Sequence, residues 1–142
     1  MSTKEKLSAV EAHETISREA KEKAVQEVRR VEKIEIGKAV RQGDIYLHRV
    51  AAKHPRGKAS KSRQLAIGDT MGSRHIAEQP AKVFVGTTLP EGCDASTFLG
   101  PLVEGDERFT VTHPEHAQVS LPAGTYQVTH QMDARSLQRV QD

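Results

Sequence analysis

Tryptophan is absent from the chain, and Phe and Tyr together supply only 4% of its 142 residues. Apolar residues reach 36%. A chain of this length makes one domain, or one domain plus an arm. Its core is expected to be lean, with part of the stability coming from a partner surface. A single cysteine, Cys93, excludes an intramolecular disulfide and suits a reducing cytosol or an assembly made there. No spacing ties Cys93 to a base, so it reads as incidental. No apolar run approaches the ~20 residues of a membrane span, and MSTKEKLSAVEAHE lacks the apolar stretch of a signal peptide. GxSxG, P-loop and GxGxxG patterns are missing, which removes the best-marked hydrolase, NTPase and dinucleotide classes.

Glycine and proline are also missing from Met1 to Ile36. Over 3–33 the apolar residues Leu7, Val10, Ile16, Ala20, Ala24, Val28 and Val31 recur mostly at three or four. Ser2 and Glu5 have capping-box spacing, and Glu14–Arg18 and Glu19–Lys23 are favourable pairs four apart. The pattern predicts a charged helical arm, 1–38, about 45 Å long at ~1.5 Å per residue. Its thin stripe would lie on its own domain or on a neighbouring subunit.

From VEKIEIG onward the period shortens to two. Ile45 and Leu47 face away from Tyr46, His48 and Val50 after a QGD turn. Similar alternation marks AKVFVGT and ERFTVTH, with Phe109 and Val111 on one face. The pair QVSL and TYQVTHQM flanks a Pro-Ala-Gly turn and reads as a hairpin. LPEGCDASTFLGPLVEGDE (89–107) reads as long and irregular. Short strands with frequent turns predict a mainly β fold over 39–134, an antiparallel jelly-roll-like sandwich or barrel, with 135–142 a tail.

Charge is unevenly spread. Net charge is +1 over 1–38, +6 over 39–63 and −5 over 64–142. The basic loop offers Arg56, Lys58, Lys61 and Arg63 to an acidic protein surface. Direct nucleic-acid binding through 51–63 is the weaker use of it, because no aromatics interleave and no nucleic-acid-binding signature accompanies it.

The sharpest chemical candidate is HPEH at 113–116. With His75, the histidines His113 and His116 offer imidazoles to Zn, Fe or Ni. Such a set on a small β-barrel resembles a cupin. Gly68, His75 and Glu78 follow the first cupin motif, but Ser73 stands where its other histidine belongs. Pro122, Ala123 and Gly124 follow the second, but Gln127 replaces its histidine. A site missing two ligands loses most of its affinity, so no metal and no cofactor is expected. Pro114 cannot donate a ladder bond, which places HPEH at a strand end or bulge.

Three motifs, RQGDIYL, HPEH and LPAGTYQV, resemble a group of small uncharacterised β proteins of bacteria and phages over residues 40–133. There the middle motif is Gly-His-x-His, where this chain has GSRH. Size, arm and lean β domain together resemble the jelly-roll cement (decoration) proteins of tailed-phage heads. That resemblance implies a non-enzymatic virion protein, assembled in the host cytoplasm. It would form a dimer or trimer and bind the major capsid protein through the arm stripe (Leu7, Val10, Ile16, Ala20, Val28, Val31) and the basic loop. The alternative is a cupin-like metal-binding protein or enzyme using His75, His113 and His116.

Overall fold

A computed structural model describes residues 27–66, 74–94, 96–133 and 138–139. Among these, eleven strands form and no helix does. In chain order they are β1 (Val28–Arg30), β2 (Ala39–Gln42), β3 (Ile45–Val50), β4 (Arg56–Ala59), β5 (Ile76–Ala77), β6 (Lys82–Gly86), β7 (Thr97–Gly105), β8 (Phe109–Thr112), β9 (Gln118–Leu121), β10 (Gly124–Asp133) and β11 (Gln138–Arg139). One sheet runs β1-β9-β8-β5; the other runs β2-β3-β10-β7-β6-β4, with β11 also on β10. Every pairing is antiparallel except β1 with β9.

Alternation explains which residues meet between the sheets. Ile45 and Leu47 of β3, Val83 of β6, Val103 of β7 and Tyr126 and Val128 of β10 come from the larger sheet. Phe109 and Val111 of β8 and Val119 and Leu121 of β9 come from the smaller. They form one buried cluster, in which the Phe109 ring meets Tyr126 edge-on at 5.7 Å.

The expected helical arm is corrected where the structure describes it. Val28 lies in β1, whose residues Val28, Arg29 and Arg30 pair with Gln118, Val119 and Ser120. Val31 N–H continues the ladder to Ser120 O at 2.9 Å, and Arg108 donates to both Val31 O and Ser120 O. The exposed edge of β9 thus gives this backbone partners that outweigh a thin helical stripe. Leu7, Val10, Ile16 and Ala20 lie outside the described residues.

Two further expectations change. The Pro-Ala-Gly turn is not a hairpin: β9 pairs with β8 and β1, whereas β10 pairs with β3 and β7. The turn carries the chain from one sheet to the other, and Tyr126 Oη fastens it by donating to Pro122 O at 2.8 Å. The irregular stretch 89–107 contains β7, which holds nine residues. Gly100 and Pro101 mask it in the sequence. They fall where the β7–β10 register shifts, between the partners of Gln127 and Thr129. Pro cannot donate there. Gln127 Nε2 donates to Gly100 O at 2.8 Å and Pro101 O at 3.0 Å, so carbonyls freed by the bulge are satisfied.

The same close approach governs Gly86. A Cβ there would lie 2.0 Å from Gly100 O and 2.8 Å from Gln127 Nε2. Gly86→Ala is therefore expected to destabilise the fold by about 1–3 kcal/mol, the usual cost of forced overpacking, measured as a lower urea midpoint. An unchanged midpoint would show that β6 and β7 are not held this close.

Candidate functional site

Three segments far apart in the chain meet at one end of the sandwich. The β2–β3 hairpin turns through Gly43 and Asp44, with Gly43 at φ 58°. His75 immediately precedes β5, and HPEH bridges β8 and β9. Gln42, Asp44, His75 and His113 are all buried. The rings of His75 and His113 have centroids 4.4 Å apart, His113 and His116 4.5 Å, and His75 and His116 6.4 Å. Gly43 admits the cluster: a Cβ there would sit 2.8 Å from the His116 ring.

Gln42 organises the bonds. Its Nε2 donates to Val111 O and to Ala117 O, each at 3.0 Å. Those carbonyls flank HPEH on either side. Because both amide hydrogens are committed to carbonyls, Oε1 is fixed as an acceptor, and it receives His75 Nδ1–H at 2.7 Å. The second ring nitrogen, Nε2, lies 2.9 Å from Asp44 Oδ1. In a neutral ring already protonated at Nδ1, Nε2 is an acceptor, and a carboxylate oxygen also only accepts. The contact is a hydrogen bond only while one proton is shared between the two groups. Burial first, then His113, pushes the His75 pKa down to about 4, with Asp44 pulling the other way.

His113 is wired differently. Its Nδ1 accepts the N–H of Glu115 at 2.9 Å and of His116 at 3.2 Å, closing the turn that Pro114 opens. The ring proton therefore sits on Nε2. A nitrogen carrying its proton is not a metal ligand. The Nδ1 of His75 is committed to Gln42 Oε1, and its Nε2 faces the Asp44 carboxylate at 2.9 Å. Among the described residues, no three His, Cys, Asp or Glu groups are arranged to hold a metal ion. Gly68 and Ser73 lie outside the described residues. Glu78 accepts from Thr112 Oγ1 at 3.0 Å, and Gln127 plugs the β7 bulge in the other sheet.

The basic loop divides. Arg56 donates to Glu104 Oε2 at 2.7 Å and to Ala52 O at 2.7 Å, and lies over the Phe84 ring. Arg63 donates to Ala77 O at 2.7 Å and to Ala81 O. Both guanidiniums serve the fold. Lys58, on edge strand β4, and Lys61 are exposed. Of the arm stripe, Val28 is exposed on β1 and Val31 packs on the core. Sequence reasoning took Gln42 and Asp44 only as a turn. Their signal was the RQGDIYL motif itself, which carries two buried polar side chains where a turn needs only Gly43.

The sequence model of a family described as a domain of unknown function (DUF8820) matches residues 41–131. That span contains every residue of the cluster. Among curated proteins and solved structures, nothing matches.

Substitutions at Asp44 test the shared proton. At neutral pH, where His75 is neutral, an asparagine amide donates to Nε2 without any shared proton, so Asp44→Asn is expected to match or exceed the stability of the parent chain. Asp44→Ala leaves a buried ring nitrogen unsatisfied and is expected to cost about 1–3 kcal/mol in chemical denaturation. Equal losses in the two variants would remove the shared-proton account.

Acid titration tests the Arg56–Glu104 pair. The hydrogen bond from Arg56 holds the Glu104 carboxyl below its ordinary value of 4.5. The folded state then binds that proton more weakly than the unfolded chain. The stabilisation is complete above the ordinary value and is lost as pH falls through the lowered one. Glu104→Gln is expected to flatten the acid limb of a stability–pH curve, with little change in its slope above pH 6, about 1.5 units over the ordinary value.

Proposed function

The chain belongs to the DUF8820 family, a domain of unknown function, and from that premise we propose a structural binding role, that of a capsid cement protein. On this reading it attaches to a shell of major capsid protein as a dimer or trimer, inside a virion, and stabilises the shell without catalysis. The observation that carries the non-catalytic part is the wiring of the cluster. Gln42, the Nδ1 of His75 and the Nδ1 of His113 spend their hydrogen-bonding capacity on each other and on backbone. Such side chains hold loops in place and leave little for a substrate.

The outer surface supports the binding part. Lys58 and Lys61 are exposed, and Val85 is 52% exposed on β6, the strand next to edge strand β4. A basic edge with an apolar neighbour suits an acidic protein surface better than a membrane or a substrate. Many copies, each contributing modest area, would strengthen a shell through multivalency.

A second reading, cupin-like metal binding, has one specific observation in its favour: His75, His113 and His116 do converge. It requires a metal to displace Gln42 or Asp44 from His75 and to strip the Nε2 proton of His113.

Two measurements decide. The first looks for a major capsid gene beside this one and uses shells assembled from its product. The cement reading expects co-sedimentation that saturates at a fixed ratio, raises the shell's melting temperature and weakens in a Lys58→Glu, Lys61→Glu double variant. Absence of binding at saturating shell overturns it. The second is elemental analysis of the purified chain. Stoichiometric Zn, Fe or Ni, lost in His116→Ala, would establish the second reading instead.

A further inference from the structure

The outer face of the larger sheet carries a separate feature, unrelated to the histidine cluster. Because β10 is buried on both faces, loops must cover its outer side. His54 Nε2 meets Thr88 O at 2.8 Å and ties two of the loops together. On this outer face a cleft of about 230 Å³ stays open, lined by Tyr46, His48, Gly92, Cys93, Asp94, Thr97 and Thr129.

Sheet register sets its floor. Tyr46 and Thr129 are cross-strand partners, and His48 Nε2 shares a hydrogen bond with Thr129 Oγ1 at 2.8 Å. The 92–94 loop sets its wall. Asp94 Oδ1 accepts from Ser96 N at 2.9 Å, Ser96 Oγ at 2.5 Å and Thr97 Oγ1 at 3.4 Å. Those bonds fix the carboxylate in orientation, while Oδ2 takes part in none of them.

Two properties choose the ligand class. The volume falls below the ~300–1,000 Å³ of pockets for drug-sized molecules, so the occupant is small. The charge of the lining is one-sided: among the described residues Asp94 is its only charged side chain, while the Arg41 guanidinium, outside the lining and over the Tyr46 ring at 5.5 Å, donates to Gly43 O. Burial keeps His48 neutral by lowering its pKa. An anion would face the carboxylate with no lining cation to offset it; an ammonium group would find a partner. We propose that this cleft binds a small organic cation, its ammonium group at Asp94 and its short apolar or flat body against Tyr46 and His48. The inference is independent of the capsid reading.

Cys93 supplies a built-in reporter, since it is the chain's single cysteine and lies in the cleft wall. Burial, with Asp94 beside it, raises its thiol pKa, so exchange is to be followed to equilibrium and not by rate. The folded protein is equilibrated separately with cystamine, bis(2-hydroxyethyl) disulfide and 3,3′-dithiodipropionate under one redox buffer. Intact mass gives the fraction of Cys93 in each mixed disulfide. The proposal expects a several-fold preference for the cationic adduct over the neutral one and the least of the anionic adduct. That preference should drop in Asp94→Asn, and also in Tyr46→Leu, which leaves every charge in place. Circular dichroism confirms that each variant stays folded. Equal adduct fractions overturn the proposal. So does a cationic preference undiminished in Tyr46→Leu, because local charge alone would then explain it.

Discussion

The amide of Gln42 is the contact on which the end of this sandwich depends. It sits on β2 of the larger sheet, yet its partners are Val111 O, Ala117 O and His75 Nδ1, all on segments of the smaller sheet. Apolar contact between the two sheets is strong but not directional. Faces that meet through Val, Leu and Ile can slide by a residue at modest cost. A planar amide facing three fixed partners cannot. Being buried, any partner it lost would stay unsatisfied, and that penalty exceeds the net gain of making the bond. Gln42 thus converts a non-specific apolar interface into one register, and with it fixes the HPEH turn and the Gly43 hairpin.

The larger sheet meets a different constraint. From Thr125 to His130, β10 is buried on both faces, although only one face looks into the core. Such a strand usually needs a third layer. Here loops and long side chains stand in for it. Arg56 crosses from β4 to Glu104 on β7, over Phe84, and Thr125 Oγ1 donates to the same carboxylate oxygen at 3.2 Å. Gln127 fills the bulge. The outer cover therefore rests on polar groups that must pair, and it leaves a cleft where the loops stop.

These two constraints explain what was legible in the sequence. Strands with one face in the core and one outside kept a clean period of two, so β3, β6, β8 and β10 could be read from it. β7 could not, because Gly100 and Pro101 at its bulge look like loop residues until Gln127 is known to serve their carbonyls. The N-terminal segment misled for the opposite reason. A helical stripe through Val28 and Val31 is a local pattern, whereas the β9 edge that takes up residues 28–30 lies some ninety residues further on and is invisible to any window. The histidines were visible as a pair at HPEH. His75 was grouped with them as a candidate ligand; Gln42 and Asp44 were not, since they join the cluster only through the meeting of the two sheets.

The cluster also shows why converging histidines do not by themselves make a metal centre. A metal and a hydrogen-bond network compete for the same lone pairs. In a metal site, one nitrogen of each ring binds the ion and the other donates its proton outward. At His75 both nitrogens face oxygens of this chain, and at His113 the lone pair is taken by backbone N–H groups that build the turn. Reassigning either ring would cost bonds that hold the β2–β3 hairpin or the HPEH loop in place. The imidazoles therefore serve the assembly of the two sheets first, and any ion binding there would be in competition with the fold.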